Sequence, residues 1–99
     1  MGRAGNIMAV GMGVDKEKIL VVNADDFGLD REINRGIALS CRQGIVRSVS
    51  LVAGGEAFDD AIGLLGGLPG TGAGVHLCLV GERPVAPLNL LPTLVDGEG

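Results

Sequence analysis

The sequence contains little aromatic material. Among its 99 residues there is no tryptophan or tyrosine, and the only phenylalanines are Phe27 and Phe58. A hydrophobic core must therefore be built from valine, leucine, isoleucine and alanine, which is typical of buried parallel sheets. Hydrophobic residues make up 46% of the chain, which is enough for one small domain or for part of a larger one.

Cysteine and clusters of positive charge are scarce as well. Cys41 and Cys78 lie 37 positions apart, without the spacing of metal ligands. We therefore expect both to be reduced, small core residues of a cytoplasmic protein. The 8 basic and 12 acidic residues are scattered along the chain, which argues against a surface that binds nucleic acid.

Long hydrophobic runs are also lacking. The apolar patch from Ile7 to Val14 is interrupted by glycines, and it is too short and irregular for a signal peptide or a membrane span. We expect residues 1–17 to form a flexible N-terminal extension and residues 18–99 to form the folded region.

Within the folded region the residue pattern predicts three strands. Lys18–Asn23 is a short apolar run of the kind that is buried on both faces of a sheet, and Ile45–Ala53 is rich in β-branched residues. The third predicted strand is Gly74–Val80. Each run has the length and the flanking residues that are typical of a strand.

Two helices are predicted between these strands. Apolar residues at i, i+4 and i+8 predict a helix over residues 31–43, with Asp30 as its N-cap and Gly44 as a left-handed C-terminal cap. An apolar stripe from Ala57 to Leu65 predicts the second helix, which is stopped by the glycines and the proline that follow.

This order predicts an α/β fold with a parallel β-α-β-α-β unit, because both helical connections are long enough for right-handed crossovers. Three strands leave both edges of the sheet unpaired, and the proline-containing segment after the third strand does not look like a terminating helix. We therefore interpret the folded region as the N-terminal part of a larger barrel or sheet.

Two adjacent carboxylates, Asp25 and Asp26, follow the first predicted strand. Ligands of parallel sheets gather at the carboxyl ends of the strands. A carboxylate in that position can bind a hard divalent cation, and a neighbouring carboxylate can take a proton from metal-bound water. The simpler alternative is an acidic pair that forms a turn or caps a helix.

His76 is the only histidine, and it falls in the third predicted strand. The alternation of a strand places His76 and Cys78 on one face, so that the imidazole can point towards the acidic end of the first strand. The alternative is a hydrogen-bonded core histidine. One aspartate and one histidine are half of a metal site, since stable sites usually have three or four protein ligands.

Two other patterns have a structural interpretation. The glycine-rich segment Gly70–Gly74 precedes a strand instead of linking a strand to a helix, so we interpret it as a connector and not as a dinucleotide-binding loop. Asp59 and Asp60 lie on the second predicted helix, and we expect them to form a solvated face.

Four blocks of sequence occur in a distinctive order: ILVVNADDFGLDREINRGI, SVSLVAGGEAFDDA, GAGVHLCLVGERPVAP and LPTLVDGEG. Together, from about Lys18 to the end, they resemble the YdjC-like carbohydrate deacetylase family, which includes chitooligosaccharide deacetylases and members associated with hopanoid biosynthesis. Gly54 and Gly55 stand where many deacetylases carry a Met-Asn-Gly-like segment, and this resembles the hopanoid-associated branch more closely.

The resemblance implies a divalent-metal-dependent hydrolase, with magnesium or zinc, on a distorted TIM-like β/α barrel. Its substrate would be an N-acetylated amino sugar or glycolipid, from which it removes the acetyl group. Carried over residue by residue, Asp26 and His76 would be metal ligands, and Asp25 would be the catalytic base that activates water. Family members have about 250 residues, the scale of a whole barrel, and their third ligand is a later histidine that this chain lacks. We therefore expect the chain to be inactive by itself.

Two alternatives of other classes stay open. A phospho-receiver domain also places an acidic pair after its first strand, but it needs a phospho-accepting aspartate at the end of the third, where this chain has His76 and Leu77. The other alternative is a catalytically silent fragment that is stable only with a partner, for example as a homo-oligomer, because its sheet edges are exposed.

Overall fold

The computed structural model describes residues 16–97, which form a parallel three-stranded sheet and two α-helices. The strands are β1 (Val22–Phe27), β2 (Val46–Leu51) and β3 (Gly72–Val75), and they lie side by side in chain order. Helix α1 (Arg31–Gln43) joins β1 to β2, and helix α2 (Phe58–Leu65) joins β2 to β3. The predicted α/β unit is thereby confirmed, and it is consistent with part of a TIM-like barrel.

The expected extension, residues 1–17, lies almost wholly outside the described residues. A short 3-10 helix, Leu88–Leu90, is the last regular element within the described part of the chain. None of the helices that the structure describes is long and apolar enough to cross a membrane.

Helix α1 has the predicted bounds because its N-terminal signal is local. The carboxylate of Asp30 accepts a hydrogen bond of 2.8 Å from the backbone N–H of Ile33, which satisfies a donor that the helix itself cannot pair. The predicted left-handed cap at Gly44 is wrong, since Gly44 has a φ of −112°. A glycine is still favoured there, because a Cβ would lie 2.7 Å from the carbonyl oxygen of Ser40.

The first strand begins and ends four residues later than predicted. It pairs with β2 through Asn23 opposite Ser48 and Ala24 opposite Val49, and the register is irregular between Ala24 and Phe27. Backbone pairing, and not the apolar run, therefore sets the strand's limits. As a result, the two aspartates lie in the last half of β1 and not after it.

The third strand is shorter and earlier than the predicted Gly74–Val80. Its last pair joins Val75 to Leu51, where β2 also ends. Part of the glycine-rich segment, which was expected to be only a connector, thus belongs to β3. His76 follows the strand instead of lying within it, although its backbone N–H donates a 2.8 Å hydrogen bond to the carbonyl of Leu51.

The core lies between the sheet and the helices. It is aliphatic as predicted, except that the fully buried Phe27 is its largest member. The buried cluster consists of Phe27, Ile37, Ala38, Cys41, Val46, Val49, Ala61 and Leu68. Both cysteines are free thiols, as expected, but only Cys41 is a core residue, because Cys78 is exposed.

Candidate functional site

Asp26 and His76 meet at the carboxyl end of the sheet, although 50 positions separate them in the chain. The Oδ1 atom of Asp26 lies 3.2 Å from the Nδ1 atom of His76, and the backbone N–H of Asp26 lies 3.3 Å from the same nitrogen. The side chain of Asp26 is 50% exposed and that of His76 is 31% exposed. The pair is therefore accessible, while its backbone is anchored in the sheet.

Asp26 adopts a backbone conformation that is uncommon for residues other than glycine, although aspartate adopts it more often than most. Its φ of +68° is the only positive value among the described non-glycine residues. Such a conformation persists where the surrounding structure fixes it, and it is found preferentially at functional sites. A turn begins here, closed by a 3.1 Å hydrogen bond from the N–H of Leu29 to the carbonyl of Asp26.

Asp25 has a different set of neighbours from Asp26. The side-chain amide of Asn23 donates to Asp25 Oδ1 at 2.9 Å and to Ser50 Oγ at 3.0 Å. The hydroxyl of Ser48 donates in turn to Asn23 Oδ1 at 2.6 Å. The two adjacent carboxylates are thus held separately, one by a polar group on β1 and β2 and the other by His76.

Sequence reasoning missed this polar group on the strands. Its members sit two positions apart on each strand, Asn23 and Asp25 on β1, and Ser48 and Ser50 on β2. Residues with this spacing share one face of a sheet. The alternation of polar residues along each strand could have revealed this group. It required the correct limits of β1, because the predicted strand ended before Asp25.

The distance between Asp26 and His76 is compatible with two ligands of one metal ion, which would replace the hydrogen bond from Asp26 N–H to His76 Nδ1. Oxygen and nitrogen ligands of zinc lie about 2.0–2.2 Å from the ion, so that two of them at tetrahedral or octahedral angles lie about 2.8–3.5 Å apart. The observed separation of 3.2 Å falls in this range. Within residues 16–97, however, no three His, Cys, Asp or Glu residues are grouped to hold a metal ion.

A cavity of about 280 Å³ opens beside the pair. Asp26 and His76 contribute to its wall together with Leu29, Cys78 and Glu82. A small polar group of a ligand can therefore approach both the carboxylate and the imidazole from one side.

The turn after β1 is packed directly against the turn after β2. Gly28 has a φ of +107°, and a Cβ there would lie 3.0 Å from the carbonyl oxygen of Val52. A Cβ on Gly55 would collide with the carbonyl oxygen of Gly28. Backbone hydrogen bonds run from Val52 N to Phe27 O at 2.8 Å and from Ala57 N to Gly28 O at 3.0 Å. These contacts fix the backbone next to Asp26.

The expectation of a solvated acidic pair on the second helix holds for Asp59, which is exposed. It is wrong for Asp60, which is partly buried and accepts a 2.9 Å hydrogen bond from the side-chain amide of Asn34. Asn34 lies on α1 and is fully buried. The contact joins residues 26 positions apart, which the pattern of a single helix does not reveal.

Comparison with known proteins identifies the family of this chain. The model of the YdjC-like protein family matches residues 19–99. A carbohydrate deacetylase from Brevibacillus brevis is 44% identical over 80 residues, which are 81% of this chain and 32% of that protein. A chitooligosaccharide deacetylase from an Enterobacter species is 44% identical over 72 residues, which are 73% of this chain and 29% of that protein.

A solved structure shares the fold. It is a crystal structure from Enterococcus faecalis, provisionally named a cellobiose-phosphate cleavage protein, with a TM-score of 0.77 and 32% sequence identity. The match covers 85% of this chain and 33% of the other. The chain therefore spans about a third of the length of the relatives that it matches. Because the family model matches more than half of its residues, the chain belongs to the YdjC-like family.

Proposed function

We propose that this chain is part of a metal-dependent carbohydrate deacetylase, which hydrolyses the N-acetyl group of an amino sugar. The observation that supports this most directly is the 3.2 Å approach of Asp26 Oδ1 to His76 Nδ1 beside a cavity. The reaction class is supported by the names of the relatives, a carbohydrate deacetylase and a chitooligosaccharide deacetylase.

In this proposal Asp26 and His76 hold a divalent metal ion, magnesium or zinc. When bound, such an ion polarises the acetamide carbonyl as a Lewis acid and makes a nucleophile available from water. The turn after β1 presents the carboxylate, and the backbone bond from His76 N to Leu51 O anchors the imidazole. The pair lines the cavity, where the acetamide group of the sugar would bind.

Asp25 is the general base of the proposed reaction. Its carboxylate accepts the proton of the attacking water, and Asn23 holds one of its oxygens at 2.9 Å. The leaving amine then needs a proton, which the protonated Asp25 can return. Holding Asp25 away from His76 keeps one carboxylate for the metal and one for proton transfer.

Two ligands are fewer than a stable catalytic site takes, and the described residues include no group of three. We therefore propose that activity depends on a ligand from outside residues 16–97, and that the 99-residue chain is catalytically silent by itself. The exposed apolar residues after β3 are also compatible with the alternative that this chain is a fragment that is stable only with a partner. We keep that alternative as an outcome of the test on the isolated chain given in the Discussion.

The proposal is tested by acetate release from N-acetylated chitooligosaccharides, using the full-length protein that carries this chain. We expect release to stop with a chelator, to return when zinc or magnesium is added, and to fall at least 100-fold in Asp26→Asn, His76→Gln and Asp25→Asn. Asp59→Asn is the matched control, because Asp59 is an exposed carboxylate on α2. Release that persists in both Asp26→Asn and His76→Gln would refute the assignment.

A further inference from the structure

Asn34 is a fully buried polar side chain that the proposed reaction does not use. Its Oδ1 accepts a short hydrogen bond of 2.7 Å from the backbone N–H of Gly28. Its amide nitrogen donates to the carbonyl of Ala57 at 3.0 Å and to Asp60 Oδ2 at 2.9 Å. One side chain thus joins the turn after β1, helix α1 and the start of α2.

The bond from Gly28 N–H to Asn34 lies close to Asp26 in the chain. Gly28 is two residues after Asp26, and its N–H belongs to the peptide that leaves Phe27. Fixing this N–H fixes the direction in which the chain leaves the strand, and with it the turn that Asp26 begins. The carbonyl of the same peptide already accepts a 2.8 Å bond from Val52 N, and the bond to the buried amide of Asn34 holds its N–H end as well.

Asp60 orients the amide of Asn34. An asparagine side chain can present either its oxygen or its nitrogen to a neighbour. The Asp60 carboxylate and the Ala57 carbonyl both accept from the nitrogen, so the nitrogen must face them and the oxygen must face Gly28. A charged acceptor also makes this bond stronger than one between neutral groups. The pair Asn34–Asp60 is therefore a directional support and not a generic packing contact.

Burying polar groups is costly unless every group is satisfied, and apolar residues of similar size are often as stabilising. The described side chains leave no buried polar atom without a partner. A network of this kind is thus compatible with the fold, and what it supplies beyond an apolar contact is a fixed backbone direction.

We propose that Asn34 and Asp60 are positioning residues, which hold Asp26 in its left-handed conformation with its carboxylate against His76. The significance of this for metal binding rests on the function proposed above. The positioning itself rests only on the contacts of residues 26–34 and of α2, and it can be tested without a metal.

The following variants separate the loss of the oriented hydrogen bond between Asn34 and Asp60 from a general loss of folding stability. Asp60→Ala removes the acceptor, and Asp60→Asn keeps an oxygen that can accept the same bond. Asn34→Asp places two carboxylates together. Combining it with Asp60→Asn restores a donor and an acceptor between these two positions but not the donor to the carbonyl of Ala57. Leu68→Ala is the control for lost stability, because Leu68 is a buried core residue that lies after α2.

The first readout is the ¹⁵N chemical shift of His76 Nδ1 in the metal-free, full-length protein, assigned by its loss in His76→Gln. We expect Asp60→Ala to move this resonance towards its position in Asp26→Ala. Asp60→Asn should keep the resonance close to its original position, and the double variant should return it in part from its position in Asn34→Asp. Leu68→Ala should leave it unchanged. The proposal would be overturned if Asp60→Ala lowers the Tm as much as Leu68→Ala does and leaves the resonance of His76 Nδ1 where it was.

The second readout is the affinity for zinc alone, measured by titration calorimetry. We expect Asp60→Ala to weaken binding about 10–100-fold, as is usual when a group that orients a ligand is lost, while Leu68→Ala binds normally. If Asp26→Ala itself leaves zinc binding unchanged, the metal role of Asp26 in the proposed function fails. The metal-free resonance still decides the positioning role in that case.

Discussion

At the scale of single residues, the two adjacent aspartates differ because the backbone differs. Asp25 is held by Asn23 at 2.9 Å, whereas Asp26 has a φ of +68° and lies 3.2 Å from His76. The backbone is fixed just after both residues, at Gly28, which has a φ of +107° and whose Cβ position would lie 3.0 Å from the carbonyl oxygen of Val52.

Replacing Gly28 by alanine should be destabilising. A positive φ is strained for alanine, and the new Cβ would lie 3.0 Å from the Val52 oxygen and 3.3 Å from the Cα of Phe58. We expect a loss of about 1–3 kcal/mol in the free energy of unfolding, measured by urea denaturation.

Gly36→Ala is the matched control for this change. Gly36 lies within α1, and a Cβ there meets no heavy atom within 4 Å. The same substitution should therefore stabilise the protein by about 0.5–1 kcal/mol, since alanine favours the helix. Equal changes in both variants would contradict the role given to Gly28.

Residues close in sequence were more predictable than residues brought together by the fold. The acidic pair was identified because it follows the first predicted strand, and His76 was identified because it is the only histidine and falls in the third predicted strand. The contact of Asn34 with Asp60 was missed, since a helical pattern shows only that Asp60 is charged and not that a second helix packs beside it.

At the scale of elements, the helices were predicted better than the strands. Helix α1 is specified by its own cap at Asp30, so a single segment carries its limits. The limits of β1 and β3 depend on where β2 offers a partner, and Leu51 ends the pairing with both. The limits of these strands therefore depend on pairing within the sheet, and the sequence of one strand does not specify them.

Removing the N-cap of α1 tests the local signal. Asp30→Ala should lower the free energy of unfolding by about 1 kcal/mol, because the N–H of Ile33 loses its partner. Asp30→Ser should retain most of the stability, since serine is an equally good cap. Urea denaturation of the two variants is the measurement, and identical losses would contradict a capping role.

At the scale of the whole molecule, the described part is an open sheet. β1 and β3 each have one edge without a strand partner among residues 16–97. At the end of β3 and just after it, three apolar residues are 69%, 86% and 85% exposed: Val75, Leu77 and Leu79. Contiguous apolar surface next to an open edge is typical of a region that is covered by further protein.

The isolated 99-residue chain should therefore self-associate. We expect oligomers or aggregates in sedimentation velocity at micromolar concentration, and a shift towards monomer when Leu77 and Leu79 are both replaced by lysine. A compact monomer of the unmodified chain would contradict this expectation and argue against dependence on a partner.

The central claim is that Asp26 and His76 bind one divalent metal ion. The most direct measurement is anomalous diffraction at the zinc or manganese edge, on crystals of the full-length protein soaked in that metal. We predict an anomalous peak within about 2.0–2.3 Å of both Asp26 Oδ1 and His76 Nδ1, and its loss in Asp26→Asn. No peak at this pair, with metal bound elsewhere in the same crystals, would contradict the claim.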